Sequence, residues 1–342
     1  MRRIALIVGL VALAGWALAA FVAPGAALQG WLVGFVAVSC PMLGALASVL
    51  IHRLTGGAWG EAFAPELTAA ARSTPLLCLY VLPVLFGAPL IYRWAAMPGA
   101  LDAEVHRYFL NMPLFVLRSV VALIGWSAIS LSLSRIAGPR GRLGAGLGLV
   151  FHGIAVSVVG VDWVLSVLPG WTSSNFGMDL AVQQLAAAFA LAGLLGARRV
   201  QAGSIADLTG LLFAAILGLT YLEFMSFLVV WYGDRPPLDA WYLLRAKPPW
   251  QTPVWIALAL GIVATVALIV RRMIGPRRAL QIASAAVLAG LLGYQVWLLA
   301  PQFGPACLLP AALALTGMAG LGIAAMGGLP RLARRGETAH AG

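Results

Sequence analysis

Apolar residues in this chain come in unbroken runs of about 20, the helical length that crosses a hydrocarbon layer. Ten such runs predict helices over 4–22, 30–51, 75–92, 111–133, 144–168, 176–196, 208–232, 251–270, 280–300 and 305–327. The short alternating segments that build a membrane β-barrel are missing from the sequence. The third run carries Pro75, Pro83 and Pro89, so it must bend or be irregular. The first follows Met1-Arg2-Arg3 and holds Ala19 and Ala20, which gives it the look of a signal peptide. Its length, with nine more spans behind it, predicts an uncleaved first helix instead. Gly56-Gly57 breaks the second helix. The stretch that follows, to residue 72, reads as a short interfacial helix with Trp59 and Phe63 one turn apart and facing lipid.

The expected fold is an all-α polytopic membrane protein, one integral domain over 1–342. Composition agrees: the chain is 62% apolar and 10% charged, against about 25% charge in soluble domains. A net charge of +11 on its own suggests nucleic acid. Its placement argues otherwise, because the basic residues sit in the turns between spans, where they orient the chain. Of the 22 basic residues, Arg93, Arg107, Arg235, Arg245 and Lys247 fall on one side, Arg118 falls inside a span, and the other 16 share the opposite side. That bias predicts ten spans with both termini in the cytoplasm. An odd number of spans would mix the two sets.

Two loops on the predicted outer side are long. Residues 93–110 include Asp102, Glu104, His106 and Arg107, while 233–250, with Trp231 and Tyr232 just before it, is rich in Trp, Tyr and Pro. The aromatic residues fit a belt at headgroup level, and equally a docking surface for an extracytoplasmic partner. Cys40, Cys78, Cys307 and four histidines are scattered, so iron–sulfur, zinc-finger and haem c attachment motifs are missing. A phosphate loop and a dinucleotide fingerprint are missing too.

Charged and ionisable groups inside the spans are the candidates for chemistry, since lipid exposure there is costly. They are Arg118, His152, Asp162, Asp179 and Glu223. Counting from the span ends puts Arg118 about 10 Å deep and Asp162 about 9 Å deep. Asp179 and Glu223 also fall in the outer half, and His152 lies nearer the middle. His152 and Asp162 are ten residues apart, about 15 Å along a helix, so they cannot bond directly. Three readings stay open. Arg118 pairs with Asp162 or Glu223 to lock helices; the group forms a polar cavity or proton path open to the outer face; or the residues are span ends reaching headgroup water, Asp179 above all. Quinol oxidation is one use for such groups, because it releases two protons that need an acceptor.

Several patches resemble the second large membrane subunit of alternative complex III, a quinol:cytochrome c oxidoreductase whose membrane subunits are of the polysulfide-reductase type. They are Phe151-His152, Asp162-Trp163-Val164-Leu165-Ser166, Pro169-Gly170-Trp171 and Ser173-Ser174-Asn175-Phe176-Gly177. To these add His52-Arg53-Leu54-Thr55-Gly56-Gly57, the start of the fourth span at Asn111-Met112-Pro113, and Asp207-Leu208-Thr209-Gly210 leading to Trp231-Tyr232-Gly233. The resemblance implies two antiparallel four-helix bundles, 30–168 and 176–300, with 4–22 and 305–327 as peripheral helices. It implies a membrane-anchor subunit in a bacterial inner membrane that contributes quinone or quinol contacts or a proton path, with His152 and Asp162 as proton-path groups. Its partners would be a homologous membrane subunit, an iron–sulfur protein and c-type cytochrome subunits. Haem and iron–sulfur clusters would sit in those partners, with none bound covalently or through metal ligands in this chain. A secondary transporter and a structural scaffold are the competing expectations. The chain departs from the family in two places: Glu223 is an unexpected mid-span charge with Ser226 where the usual residue is glutamine, and Pro-Gly-Trp replaces Pro-His-Trp.

Overall fold

The computed structural model describes residues 2–100, 102–133, 138–168, 170–233 and 236–327. Met1, Arg135, Pro169, Arg235, Arg331, Arg334 and Arg335, which enter the sequence argument above, lie outside these. All regular structure among the described residues is helical, and ten helices are long and apolar enough to cross a membrane. They are α1 (Arg2–Val22), α2 (Pro24–Thr55), α3 (Ala64–Phe86), α4 (Met112–Ser132), α5 (Gly138–Trp163), α6 (Phe176–Gly196), α7 (Ala202–Gly233), α8 (Gln251–Ile269), α9 (Pro276–Phe303) and α10 (Leu308–Met326). The chain is therefore an all-α polytopic membrane protein.

The third span starts earlier than its apolar run and is segmented, for the reason its prolines give. Pro75, Pro83 and Pro89 each stand in the first turn of a new short helical piece, the position where a missing N–H costs least. Each break frees carbonyls that lipid cannot satisfy. Ser73 and Thr74 donate back to the carbonyls of Ala70 (2.6 Å) and Ala71 (2.7 Å), and Ser130 of α4 reaches the Ala71 carbonyl at 2.8 Å. Irregularity is thus tied into the neighbouring helix.

One expectation fails here. Trp59 and Phe63 do not face lipid; both are buried. Trp59 sits edge-on to His52 and to Phe189 of α6, and Phe63 packs where Gly196 leaves room for it. The short helix Ala58–Ala62 and the start of α3 close the end of the α2–α6 seam, and Arg199 fastens them through the Ala62 carbonyl and the Glu66 carboxylate at 2.8 Å.

Of the ten spans, α2 is the most buried. On one side it carries α3 and α5, on another α10 and through it α1, and on a third α6 and α9. Helices in lipid gain little from apolar contact alone, so small residues that let backbones approach decide where they meet. A β-carbon at Gly44 of α2 would lie 1.7 Å from the Gln184 carbonyl oxygen of α6, and one at Gly320 of α10 would lie 2.6 Å from the Ala5 carbonyl oxygen of α1. Further contacts run α3–α4–α5 beside α2, α5 against α6, α7 and α9 against α6, and α8 against α9.

The two long loops hold helices of their own, Ala103–Tyr108 and Pro236–Arg245. Asp102 caps the first by accepting from the Glu104 N–H, and Asn111 caps α4 by accepting from the Leu114 N–H at 3.0 Å. Both loops lie at the end of the molecule where α4 and α6 start and α5 and α7 finish. Gly44→Ala should destabilise the protein by about 1–3 kcal/mol or more, because the clash is with backbone and cannot be relieved by a rotamer change. Gly261→Ala adds its methyl to open space and serves as the control. Identical thermal unfolding of the two variants in detergent would remove the α2–α6 seam from its central place.

Candidate functional site

The five ionisable residues picked from the spans separate into three settings. Arg118 of α4 and Asp162 of α5 form a two-point ion pair, with Nε to Oδ2 and Nη2 to Oδ1 both at 2.7 Å. Asp162 is fully buried, and both its oxygens are used. Arg118 also donates to the Phe109 carbonyl at 2.9 Å and lies over the Phe109 ring, 4.2 Å from its centroid. The next residues tighten the end of α5. Ser166 donates to the Asp162 carbonyl, Tyr92 donates to the Trp163 carbonyl, and the Trp163 indole N–H bonds Ser119 Oγ at 3.0 Å. The Asp162-Trp163-Val164-Leu165-Ser166 motif is therefore a structural joint between α3, α4 and α5. Of the two partners open to Arg118, the structure selects Asp162.

His152 stands apart. Its Nδ1 lies 3.1 Å from the Trp126 indole nitrogen. Indole only donates, so Nδ1 accepts and the neutral ring carries its proton on Nε2. Trp126 and Trp163 meet edge to face between His152 and Asp162, with ring centroids 6.3 Å apart. Among the described residues, nothing that both donates and accepts links the histidine to the aspartate. The two are neighbours in one helix without being members of one relay.

Asp179 and Glu223 form the third setting. Asp179 is not a span end reaching headgroup water: it is buried, and its Oδ2 accepts from Gln183, one turn on, at 2.7 Å. Asp179 on α6 and Glu223 on α7 line the same small cavity, where their carboxyl groups interact. Tyr294 of α9 donates a short bond to Glu223 Oε1. Gln295 of α9 donates to the Gln183 side-chain oxygen at 2.6 Å and reaches towards Cys40 of α2. Four helices thus meet around two carboxyl groups, and no cation bonds either of them among the described residues.

A small cavity, with room for a water-sized guest, touches both carboxyl groups and Tyr294. Trp171, Ser173, Asn175, Ser226, Trp241 and Tyr242 line it on the long-loop side. Trp171 stacks in parallel on Trp241, with centroids 4.1 Å apart, and Asn175 donates to Ser226 Oγ at 3.1 Å. The second half of the resemblance motif, residues 170–177, therefore builds the roof of this cavity.

Arg245, at the end of the roof helix Pro236–Arg245, is buried and has no carboxylate partner among the described residues. It donates to the carbonyls of Trp241 (3.0 Å) and Leu298 (2.7 Å), and lies 3.7 Å from the centroid of the Trp241 ring. Burial lowers its pKa to about 9, which leaves the guanidinium charged at neutral pH. Burial also raises the Tyr242 phenol, and the negative charge of Glu223 adds to that, so Tyr242 stays a neutral donor. Tyr294, Gln183, Gln295 and Arg245 were not among the residues picked from the sequence. The two glutamines had a usable signal, since an amide inside an apolar span requires a partner.

The three settings predict different responses to mutation. Asp162→Ala strands Arg118 and should cost towards the low end of about 3–5 kcal/mol, because the arginine keeps 17% exposure. Arg118→Met combined with Asp162→Leu should recover most of that loss. A single variant as stable as wild type would show that the pair locks nothing. No protein-family model matches this chain, and no curated protein matches it either.

Proposed function

We propose that this chain is a membrane subunit of a quinol-oxidising respiratory assembly in a bacterial inner membrane, with both termini in the cytoplasm, and that its own chemistry is proton handling. The sequence patches resembling the alternative complex III subunit support the assembly. The observation that carries the chemistry is the meeting of Asp179, Glu223 and Tyr294 under a water-sized cavity. Taking two electrons from a quinol releases two protons. Electrons would go to haem and iron–sulfur partners: an iron–sulfur protein and c-type cytochrome subunits, beside a homologous membrane subunit.

The cavity beside the carboxyl pair does not fit a quinol ring, so no quinol step is assigned to these residues. What they can do is accept, share and pass a proton. Tyr294 holds Glu223 in place, Gln183 orients Asp179, and Asn175 and Ser226 at the rim can hold water. A scaffold would not need this set. A secondary transporter built on two repeats would place equivalent groups in both halves, whereas the half holding α4 and α5 ties its carboxylate to Arg118.

Glu223→Gln should leave the assembly intact and slow quinol-driven reduction of the cytochrome partner by about tenfold or more, the scale of a lost general acid–base group. Asp162→Asn should instead reduce the yield of folded assembly. Native purification from mildly solubilised membranes tests the assembly itself, with haem-bearing and iron–sulfur polypeptides expected alongside this chain. Recovery of an active chain alone, transporting a solute without them, would overturn the reading.

A further inference from the structure

The carboxyl pair has a polar side and a sealed side. Towards the long-loop end it meets the cavity and its rim of Ser173, Asn175, Ser226 and Tyr242. Towards the other end, α6 first presents Gln183, bonded to Asp179 and Gln295, and Gln184, buried with its side-chain oxygen unpartnered among the described residues. It then continues with Ala186, Ala187 and Ala190, all fully packed, and α7 with Ile216, Ala215 and Leu212. On α9 the same stretch holds Leu291 and Leu288, half-buried, and Val287, buried. The one hydroxyl close below Glu223 on α7, Thr220, is taken up by the Ile216 carbonyl at 2.9 Å. The next hydroxyl along α9 is Ser284, facing Gly193 of α6. It lies ten residues from Tyr294, about 15 Å along the helix. Beyond Gln184, the described faces of α6, α7 and α9 offer no free polar side chain before Ser284, and the Ser48 hydroxyl of α2 is spent on the Gly44 carbonyl, so water crossing there would find little to hold it.

The pair also carries its own sign of an occupant. Asp179 Oδ1 is buried and has no donor among the described residues, and Glu223 lines the same small cavity. Two carboxylates only accept, so a hydrogen bond between them requires a proton on one. The other titratable groups acting on the pair are Tyr294 from α9, Cys40 from α2 and Tyr242 from the helix Pro236–Arg245. Tyr294 already gives its proton to Glu223, and Arg245, which acts on Tyr242 and Tyr294, bonds two backbone carbonyls through its Nη atoms while its Nε has no partner among the described residues. A bound metal cation would need a shell of oxygens, whereas a glutamine and a tyrosine point donors at this pair.

We infer that Asp179 and Glu223 form a one-sided proton site: the pair shares a single proton, exchanges it with the long-loop face through the cavity, and is sealed from the opposite face by the apolar packing of α6, α7 and α9. This rests on the proton-handling reading above and narrows it. The chain takes up and releases protons at one surface and does not conduct them across the membrane.

The test uses the purified native assembly, without quinol, reconstituted in vesicles of known orientation. A pH step is applied to one face with the other clamped, and the infrared carboxylic C=O band is followed. The expected result is a band that responds to steps at the long-loop face only, is lost in Glu223→Gln, and returns shifted in Glu223→Asp. Asp179→Asn should move the band, which keeps the assignment testable if Glu223→Gln fails to assemble. A Glu223-dependent band that answers steps from either face would overturn the one-sided claim and leave the proton site standing. So would a proton leak, driven by a potassium diffusion potential, that Glu223→Gln abolishes. Absence of any Glu223-dependent band would overturn the site and the proton-handling reading together.

Discussion

The seam between α2 and α6 sets everything else in this molecule. Gly44 lets the two backbones touch at Gln184, and that contact is possible only because the position has no side chain. From this line α2 holds α3, α5 and α10, while α6 holds α7 and α9. The same seam brings Cys40 of α2 to within reach of Gln295, and Gln183 into line with Asp179. Without water to satisfy them, polar groups at the seam have only one another. The position of the carboxyl pair is therefore a consequence of backbone fit several residues away.

Two answers to the cost of burying a carboxylate stand side by side in one chain. Asp162 is neutralised by a guanidinium with both oxygens engaged, which fixes geometry and leaves nothing free to react. Asp179 and Glu223 are given hydrogen-bond donors but no cation. Arg245 bonds the carbonyls of Trp241 and Leu298 through its two Nη atoms and lies over an indole, and no carboxylate is paired with it among the described residues. An ion pair is weak evidence of added stability, but it does silence a group. Under the proposed reading, proton handling falls to the carboxylates that have no cation partner among the described residues.

The sequence carried the vertical arrangement well and the lateral one poorly. Ten spans and the broken third helix follow from run length and proline placement, and counting puts Arg118, Asp162 and Glu223 towards the long-loop ends of their helices. Depth, however, is one coordinate. Asp162 and Glu223 lie at similar depth, so counting could not tell which of them meets Arg118. The spans are apolar around most of their circumference, so periodicity did not say which faces pack. Trp59 and Phe63 illustrate the loss: a short amphipathic stretch reads as interfacial until another helix is known to cover it. Asp179 is the same error in reverse, since a residue three positions into a span is expected at water unless a loop roofs it. Tyr294, near the end of α9, looks like a belt residue until Glu223 is seen beneath its hydroxyl.

The face-to-face contact of Trp171 and Trp241 has an optical corollary. Two indoles stacked so closely couple their excited states, and their near-parallel planes set this pair apart from the tilted Trp16–Trp31 pair at 4.3 Å. Near-ultraviolet circular dichroism should carry its signature, and any motion that separates the helix Pro236–Arg245 from the end of α5 should erase it. The covering of the carboxyl pair can thus be watched in unlabelled protein.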